Sequence, residues 1–216
     1  MHPHSIIAID GPAASGKSTT SRAVAHALGF LFVSSGSYYR ALAWSALQHS
    51  VDISKDPAVI SWLASLHLKS NISNGEIRPI LNGIDSTEHH SDPAVAALVS
   101  PLAALPAIRF FLLTALRGLA KHHDLVMEGR DIGSVVFPNA SFKFYLDASP
   151  EERARRRRQE GVLDSIAERD KRDATRTIAP LLVAEGAIVI DTTYLNVEET
   201  TQKVLDQIRK SIATFD

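Results

Sequence analysis

The chain has 216 residues, of which 45% are hydrophobic and 22% charged, and its formal net charge is −1. These values are typical of one globular domain with a sizeable core, and they argue against a general nucleic-acid or membrane-surface binder. The absence of cysteine excludes disulfides, thiolate metal sites and a cysteine nucleophile. Residues 1–4 lead into an apolar run without a secretory signal pattern, and no stretch is long enough to span a bilayer, so we expect a cytoplasmic protein.

The first apolar run, Ile6–Asp10, predicts a buried parallel strand. Residues 11–18, Gly-Pro-Ala-Ala-Ser-Gly-Lys-Ser, follow it and fit the pattern G-x-x-x-x-G-K-[ST]. Such a loop surrounds phosphates with backbone N–H groups, while its lysine reaches the β/γ-phosphates and its hydroxyl binds Mg²⁺. Residues 19–28 then show helical spacing, with Gly29 as the stop. An ordinary turn with two glycines is the alternative, but the order of strand, loop and helix favours a phosphate-binding loop.

Four more short apolar runs follow the first strand, at residues 31–33, 124–127, 142–146 and 187–190. Long helical patterns occur at 38–49, 107–122, 150–160, 163–177 and 197–213. Strands that alternate with helices in this way predict an α/β fold with a five-stranded parallel sheet flanked by helices.

Residues 66–91 break this rhythm. Apolar residues alternate along the segment, and the dipeptides Asn74-Gly75 and Asn82-Gly83 are both hairpin-turn signals. We therefore expect hairpins that form a small antiparallel sheet inserted between helices. An irregular surface excursion is the alternative.

Polar residues follow two of the later strands directly. Ser35, Gly36 and Arg40 come after the second strand, where they begin a helix, and residues 128–133 (Glu-Gly-Arg-Asp-Ile-Gly) come after the 124–127 run. Ligands of open parallel sheets bind outside the carboxyl ends of the strands. Arginines there can bind phosphates, and a carboxylate near the loop can hold Mg²⁺ directly or through water. A solvated arginine and a surface Arg–Asp turn are the alternatives.

Residues 151–176 are rich in arginine. Acidic residues are interleaved with the basic ones, which argues against a nucleic-acid stripe. Two arginine-rich helices joined around Gly161 are more typical of a mobile lid that closes over polyphosphate and excludes water.

Several of these motifs together resemble one family. They are residues 7–12 (IAIDGP), 35–40 (SGSYYR), 128–138 (EGRDIGSVVFP), 146–154 (LDASPEERA), 168–173 (ERDKRD) and 179–181 (APL). In these motifs, and over nearly its whole length, the chain is similar to the bacterial cytidylate kinases, a branch of the P-loop nucleoside monophosphate kinases. The resemblance implies a core (residues 1–34, 101–150 and 179–216), a monophosphate-binding insert (35–100) and a lid (151–178).

The resemblance also implies roles for individual residues. ATP would be held by Gly11, Pro12, Ala13, Ala14, Ser15, Gly16, Lys17, Ser18 and Thr19. The cytidine nucleotide would be contacted by Ser35, Arg40, Ser100, Arg109, Arg130, Asp131 and Asp173. Among these residues, Ser100 would contact the base, and Arg40 and Arg130 the acceptor phosphate. The transferred phosphoryl group would be served by Lys17, Arg130, Arg169 and Arg176, and Mg²⁺ by Ser18 and by Glu128, directly or through water. The segment between Arg158 and Glu168 is shorter than is common in the family, which points to a small lid tip.

The reaction implied is transfer of the γ-phosphoryl group of ATP to CMP or dCMP. We expect Mg²⁺ as cofactor and a monomer with no nucleic-acid or membrane partner. A small-molecule kinase for UMP, AMP or shikimate is the nearest alternative. A GTPase-type switch is disfavoured because the chain has no N-K-x-D element, and a nucleotide-binding module without chemistry would leave the lid arginines without a role.

Overall fold

The computed structural model describes residues 4–159 and 179–213. These residues contain seven strands: β1 (Ile6–Asp10), β2 (Leu31–Ser34), β3 (Leu68–Ser73), β4 (Glu76–Leu81), β5 (Leu125–Gly129), β6 (Phe142–Asp147) and β7 (Ile188–Asp191). The described α-helices are α1 (Lys17–Leu28), α2 (Ser35–Gln48), α3 (Asp56–Ala64), α4 (Pro93–Ala103), α5 (Pro106–Leu119), α6 (Pro150–Gln159) and α7 (Val197–Ala213). The helix predicted at 163–177 lies outside the described residues.

The strands form one sheet in the order β3-β4-β2-β5-β1-β6-β7. Every neighbouring pair is parallel except β3 and β4, so the five predicted parallel strands are confirmed. β1 lies at the centre of these five strands and is buried throughout. Its side chains alternate between two apolar clusters: Ile7 and Ile9 pack with α1 and α7, while Ile6 and Ala8 pack with α2 and α5. The fold is therefore a three-layer α/β structure.

The antiparallel insert predicted for residues 66–91 is present as a hairpin, and this hairpin is part of the main sheet. β3 and β4 form a hairpin through the Asn74-Gly75 turn, where both residues have positive φ angles. β4 then pairs in parallel with β2, so the hairpin extends the main sheet. The second dipeptide, Asn82-Gly83, forms a tight turn closed by a single bridge between Leu81 and Ile84. The sequence could show the hairpin but not that the open edge of β2 would receive it.

The sequence analysis did not predict two of the helices, α3 and α4. Each begins at or next to a proline in its first turn, and α4 contains Pro101 in its interior. Within the described residues, no single helix has both the length and the hydropathy of a membrane span. α4 and α5 reach that criterion together, but they are bent by 95° at the break between them.

Gly11 lies where β1 becomes the phosphate-binding loop, and its φ angle of 154° is one that side chains rarely allow. A Cβ atom at this position would lie 2.1 Å from the carbonyl oxygen of Leu146 on β6. The loop therefore approaches the neighbouring strand more closely than any residue with a side chain permits.

Gly11→Ala should lower the free energy of unfolding by about 2–4 kcal/mol, because the added methyl group overlaps backbone that cannot move without breaking the sheet. Gly29→Ala is the matched control. Gly29 also has a positive φ, of 69°, but an added Cβ would meet nothing within 4 Å, so this change should cost about 1 kcal/mol. Urea unfolding of both variants measures the difference, and equal losses would contradict the steric explanation.

Candidate active site

The phosphate-binding loop joins the buried end of β1 to the first turn of α1. Gly16 is the N-cap of α1 with a left-handed conformation, and no side chain caps the helix. The first turn also lacks acidic residues. The N–H groups of this turn are therefore available to an anion, and the helix dipole favours negative charge there. Ser18 and Thr19 are exposed, whereas the buried Lys17 donates a hydrogen bond to the carbonyl of Pro12 at 2.9 Å.

Three side chains brace this loop from outside the cleft. Thr192, just after β7, donates to the carbonyl of Ser15 at 3.0 Å. Arg153 and Arg156 of α6 donate to the carbonyls of Ala13 and Ala14 at 3.3 and 3.4 Å. Three consecutive loop carbonyls are thus held by the fold. Two arginines of the predicted lid region therefore bind the backbone of the loop.

Glu152 keeps Arg156 in this position. Hydrogen bonds from Arg155, the larger cause, and from Arg156 lower the pKa of the Glu152 carboxyl to about 2. Glu152 is therefore ionised at neutral pH. Arg156 also donates to the backbone carbonyl of Thr192 at 2.6 Å, which ties α6 to the segment after β7. The network joins α6, the loop and β7 into one brace.

Opposite the loop, the end of β2 runs directly into α2. The hydroxyl of Ser34 donates to the buried carboxylate of Glu128 at the end of β5, which links the two strand ends. Arg40 lies about one turn into α2. Burial is the main reason that the pKa of His90 is lowered to about 4, and the positive charge of Arg40 is the second. This histidine is therefore neutral beside Arg40 at neutral pH.

A buried ion pair joins α5 to the segment after β5. Arg109 pairs with Asp131, and both side chains are less than a tenth exposed. Arg109 also donates to the carbonyl of Ala103 at 3.3 Å, so a single guanidinium connects α4, α5 and the end of β5. Removal of either partner would break a buried ion pair, which is strongly unfavourable.

The predicted donor and acceptor residues line one cleft of about 240 Å³. On the donor side these are Ala13, Ala14, Gly16, Lys17, Ser18 and Thr19, and on the other side Ser35, Arg40, Ser100, Arg109, Glu128, Arg130 and Asp131. Gly11, Pro12 and Ser15 belong to the loop but do not line the cleft. Arg169, Asp173 and Arg176 lie outside the described residues, so their roles stay predictions.

Sequence reasoning missed Tyr39 and Asp10. Tyr39 lines the cleft beside Arg40, and the tyrosine pair at 38–39 carried no signal to separate it from the fully buried Tyr38. Asp10 was counted as the end of an apolar strand, although a lone carboxylate there is itself a signal. It is 3% exposed, and its two oxygens accept hydrogen bonds from the N–H groups of Ile132 and Gly133 at 2.8 and 2.7 Å.

Burial raises the pKa of Asp10 to about 7, against 3.8 for an unperturbed aspartate. The two N–H groups oppose this shift, the nearby charge of Asp131 adds to it, and the charge of Arg130 opposes it. The carboxyl therefore titrates close to neutral pH.

The described part of the chain contains no group of three or more His, Asp or Glu side chains that could hold a metal ion.

The sheet, the phosphate-binding loop and the facing arginines define a P-loop kinase. A shikimate kinase from Acinetobacter baumannii has the same fold, with a TM-score of 0.50 at 16% identity over 96% of this chain and 94% of that one. An uncharacterised protein from Eubacterium ventriosum gives a TM-score of 0.51 at 13% identity, over 95% and 99%.

Sequence comparison shows to which family of P-loop kinases the chain is similar. Residues 7–210 match the model of the cytidylate kinase family. A cytidylate kinase from Pelotomaculum thermopropionicum is 41% identical over 94% of this chain and 95% of its own, and one from Klebsiella pneumoniae is 39% identical over 96% of each. The chain belongs to the cytidylate kinase family.

The titration of Asp10 makes a prediction for stability. Between about pH 4 and pH 7 the folded chain keeps a proton that the unfolded chain has released, so this group lowers the free energy of unfolding as pH rises. Asp10→Asn removes the titration. The unfolding free energy of the variant minus that of wild type should therefore rise by on the order of 2–3 kcal/mol from pH 5 to pH 8. Urea unfolding at a series of pH values measures it, and a difference independent of pH would contradict the raised pKa.

Proposed function

We propose that this chain transfers the γ-phosphoryl group of ATP to CMP or dCMP, giving ADP and CDP or dCDP. One observation carries the proposal beyond family membership. The phosphate-binding loop shares its cleft with Arg40 and Arg130, which approach from different strand ends. A site for one nucleotide alone has no need of a second set of phosphate-binding arginines on the opposite wall.

The proposed catalysis is alignment and charge stabilisation, with no covalent intermediate. Lys17 and the N–H groups of the loop would hold the donor phosphates. Arg40 and Arg130 would hold the acceptor phosphate, with the Arg109–Asp131 pair, Ser35 and Ser100 contacting the nucleotide. From the family resemblance, Asp173 is proposed to join these contacts, and Arg169 and Arg176 to serve the transferred group. Because the loop is already braced by Thr192 and α6, it needs little reorganisation when the donor binds.

The residues of the cleft fit a magnesium ion. Ser18 is exposed to the cleft, and Glu128 lines it with a carboxylate oriented by Ser34. Hydroxyl and carboxylate oxygens are ligands that Mg²⁺ prefers in nucleotide sites, together with substrate phosphates. When bound there, the ion would reduce the negative charge of the donor phosphates. We propose that Ser18 binds it and that Glu128 does so directly or through water.

The expectations of a monomer, of the cytoplasm, and of no nucleic-acid or membrane partner remain predictions. The division into core, insert and lid also remains a prediction.

An assay of ADP release with ATP and a panel of acceptors tests the function. CMP and dCMP should be phosphorylated far faster than UMP, AMP or shikimate. Lys17→Met is the companion variant, and it should lower kcat by about 10²–10³, because a preorganised charge on the transferred group is lost. Its circular dichroism and thermal unfolding should match wild type. A faster rate with AMP or shikimate than with CMP would overturn the proposed acceptor, and a near-normal rate for Lys17→Met would overturn the role of the loop.

The acceptor role of Arg40 has its own test. Arg40→Ala should raise the KM for CMP by about tenfold or more and the KM for ATP much less, since a charge-assisted contact to one phosphate is lost. Arg209→Ala, an exposed arginine on α7, is the control and should change neither constant. Equal increases in both KM values would count against the assignment.

A further inference from the structure

Asp10 lies between the two halves of the cleft without lining it. Its main chain is the last residue of β1, next to Gly11 of the donor loop. Its side chain instead contacts the segment that follows β5. A buried carboxyl group that accepts hydrogen bonds from two consecutive N–H groups makes a directional contact.

Both flanks of the Arg130–Asp131 dipeptide are held against Asp10. On one side, Gly129 is the partner of Asp10 in the β1–β5 ladder. On the other side, Ile132 and Gly133 donate their N–H groups to its carboxylate. Two residues clamped at both ends to the same neighbour have little freedom to move, so the backbone from which Arg130 and Asp131 project is fixed relative to β1.

The segment beyond the clamp keeps this arrangement rigid. Asp131 accepts backbone hydrogen bonds from Val135 and Val136 in the π-helical turn Ile132–Val136. Its side chain also pairs with Arg109. The hydrogen bonds from Ile132 and Gly133 to Asp10 therefore position the Arg109–Asp131 ion pair. They also set the direction in which Arg130 projects from the backbone.

The donor loop is held by other groups. The carbonyls of Ala13, Ala14 and Ser15 are braced by α6 and Thr192, and Gly11 packs against the backbone of Leu146. Loss of the Asp10 carboxylate leaves all of these contacts in place. Its loss should therefore disturb the acceptor half of the cleft much more than the donor half.

We propose that Asp10 is a positioning residue for the acceptor nucleotide: its carboxylate, bound to the N–H groups of Ile132 and Gly133, sets Arg130 and Asp131 in the geometry that binds the acceptor. The proposal rests on the proposed acceptor role of Arg130 and Asp131.

Asp10→Asn tests the proposal, because the amide keeps the size of the side chain but turns one accepting oxygen into a donor that faces an N–H group. The KM for CMP should rise by about tenfold or more, while the KM for ATP stays within about threefold of wild type. Asp124→Asn is the matched control. Asp124 also bridges β1 and β5 by accepting a backbone N–H, that of Ser5 at 2.6 Å, but at the opposite end of the strands, so both constants should be unchanged.

Gly133→Ala provides a second variant that keeps the carboxylate. The added Cβ would lie 3.3 Å from Cδ of Lys143 and 3.4 Å from both Cβ of Ala184 and Oδ2 of Asp10, so the atoms around the Asp10 carboxylate must give by a few tenths of an ångström. It should show a smaller rise that is still selective for the KM for CMP, and it decides the question if Asp10→Asn does not fold.

Arg130→Ala separates this proposal from the assignment of the site. If Arg130→Ala raises the KM for CMP and neither Asp10→Asn nor Gly133→Ala does, the role of Asp10 is overturned while the acceptor assignment stands. A rise in the KM for ATP as large as that for CMP in the Asp10 variant also overturns it. If Arg130→Ala leaves the KM for CMP unchanged, the acceptor assignment fails and the role of Asp10 fails with it.

Discussion

The parallel register of β1 between β5 and β6 is the constraint on which the site depends. Asp10 lies opposite Gly129 on one side and Tyr145 on the other, so β1 and β5 end at the same level of the sheet and β6 ends two residues further on, at Asp147. Whatever follows each strand must emerge at one edge. Since β1 is buried on both faces, a slip of register by one residue would exchange its side chains between the two clusters, each of which is packed around residues of other sizes. The donor loop and the Arg130–Asp131 segment are neighbours for this reason.

Charge is concentrated at this edge in a chain whose formal net charge is only −1. Lys17, Arg40, Arg109, Arg130 and Arg157 all line the cleft. Their mutual repulsion is reduced by the carboxylates among them: Asp131 pairs with Arg109, and Glu128 also lines the cleft. The fold therefore positions these cations, which is the preorganisation that the proposed binding of a polyphosphate requires.

The sequence predicted most of this edge because its signals are local. The glycine–lysine pattern, the polar residues after the strands and the alternation of strand and helix each depend on a few neighbouring positions. What it missed depends on contacts distant in sequence. From the sequence, Arg153 and Arg156 were predicted to be lid cations that face a ligand. In the structure they donate hydrogen bonds to loop carbonyls about 140 residues earlier in the chain. Asp10 and Ile132 are 122 residues apart in the sequence. The residues of β2 give no signal that its edge pairs with β4. No periodicity encodes such pairings.

The junction of the hairpin with the main sheet limits how the acceptor side can move. The predicted insert, residues 35–100, contains β4, which is paired with β2, and Ile77 and Leu81 of β4 are buried in the same cluster as Ile6 and Ala8 of β1. Arg22 of α1 stacks on Phe32 and pairs with Glu76, which adds a further tie between the donor helix and the hairpin. A rigid-body movement of the whole insert would break this ladder and expose those side chains to water, which is unfavourable by roughly 2 kcal/mol for each large aliphatic residue. Adjustment to an acceptor would therefore have to leave the hairpin paired with β2.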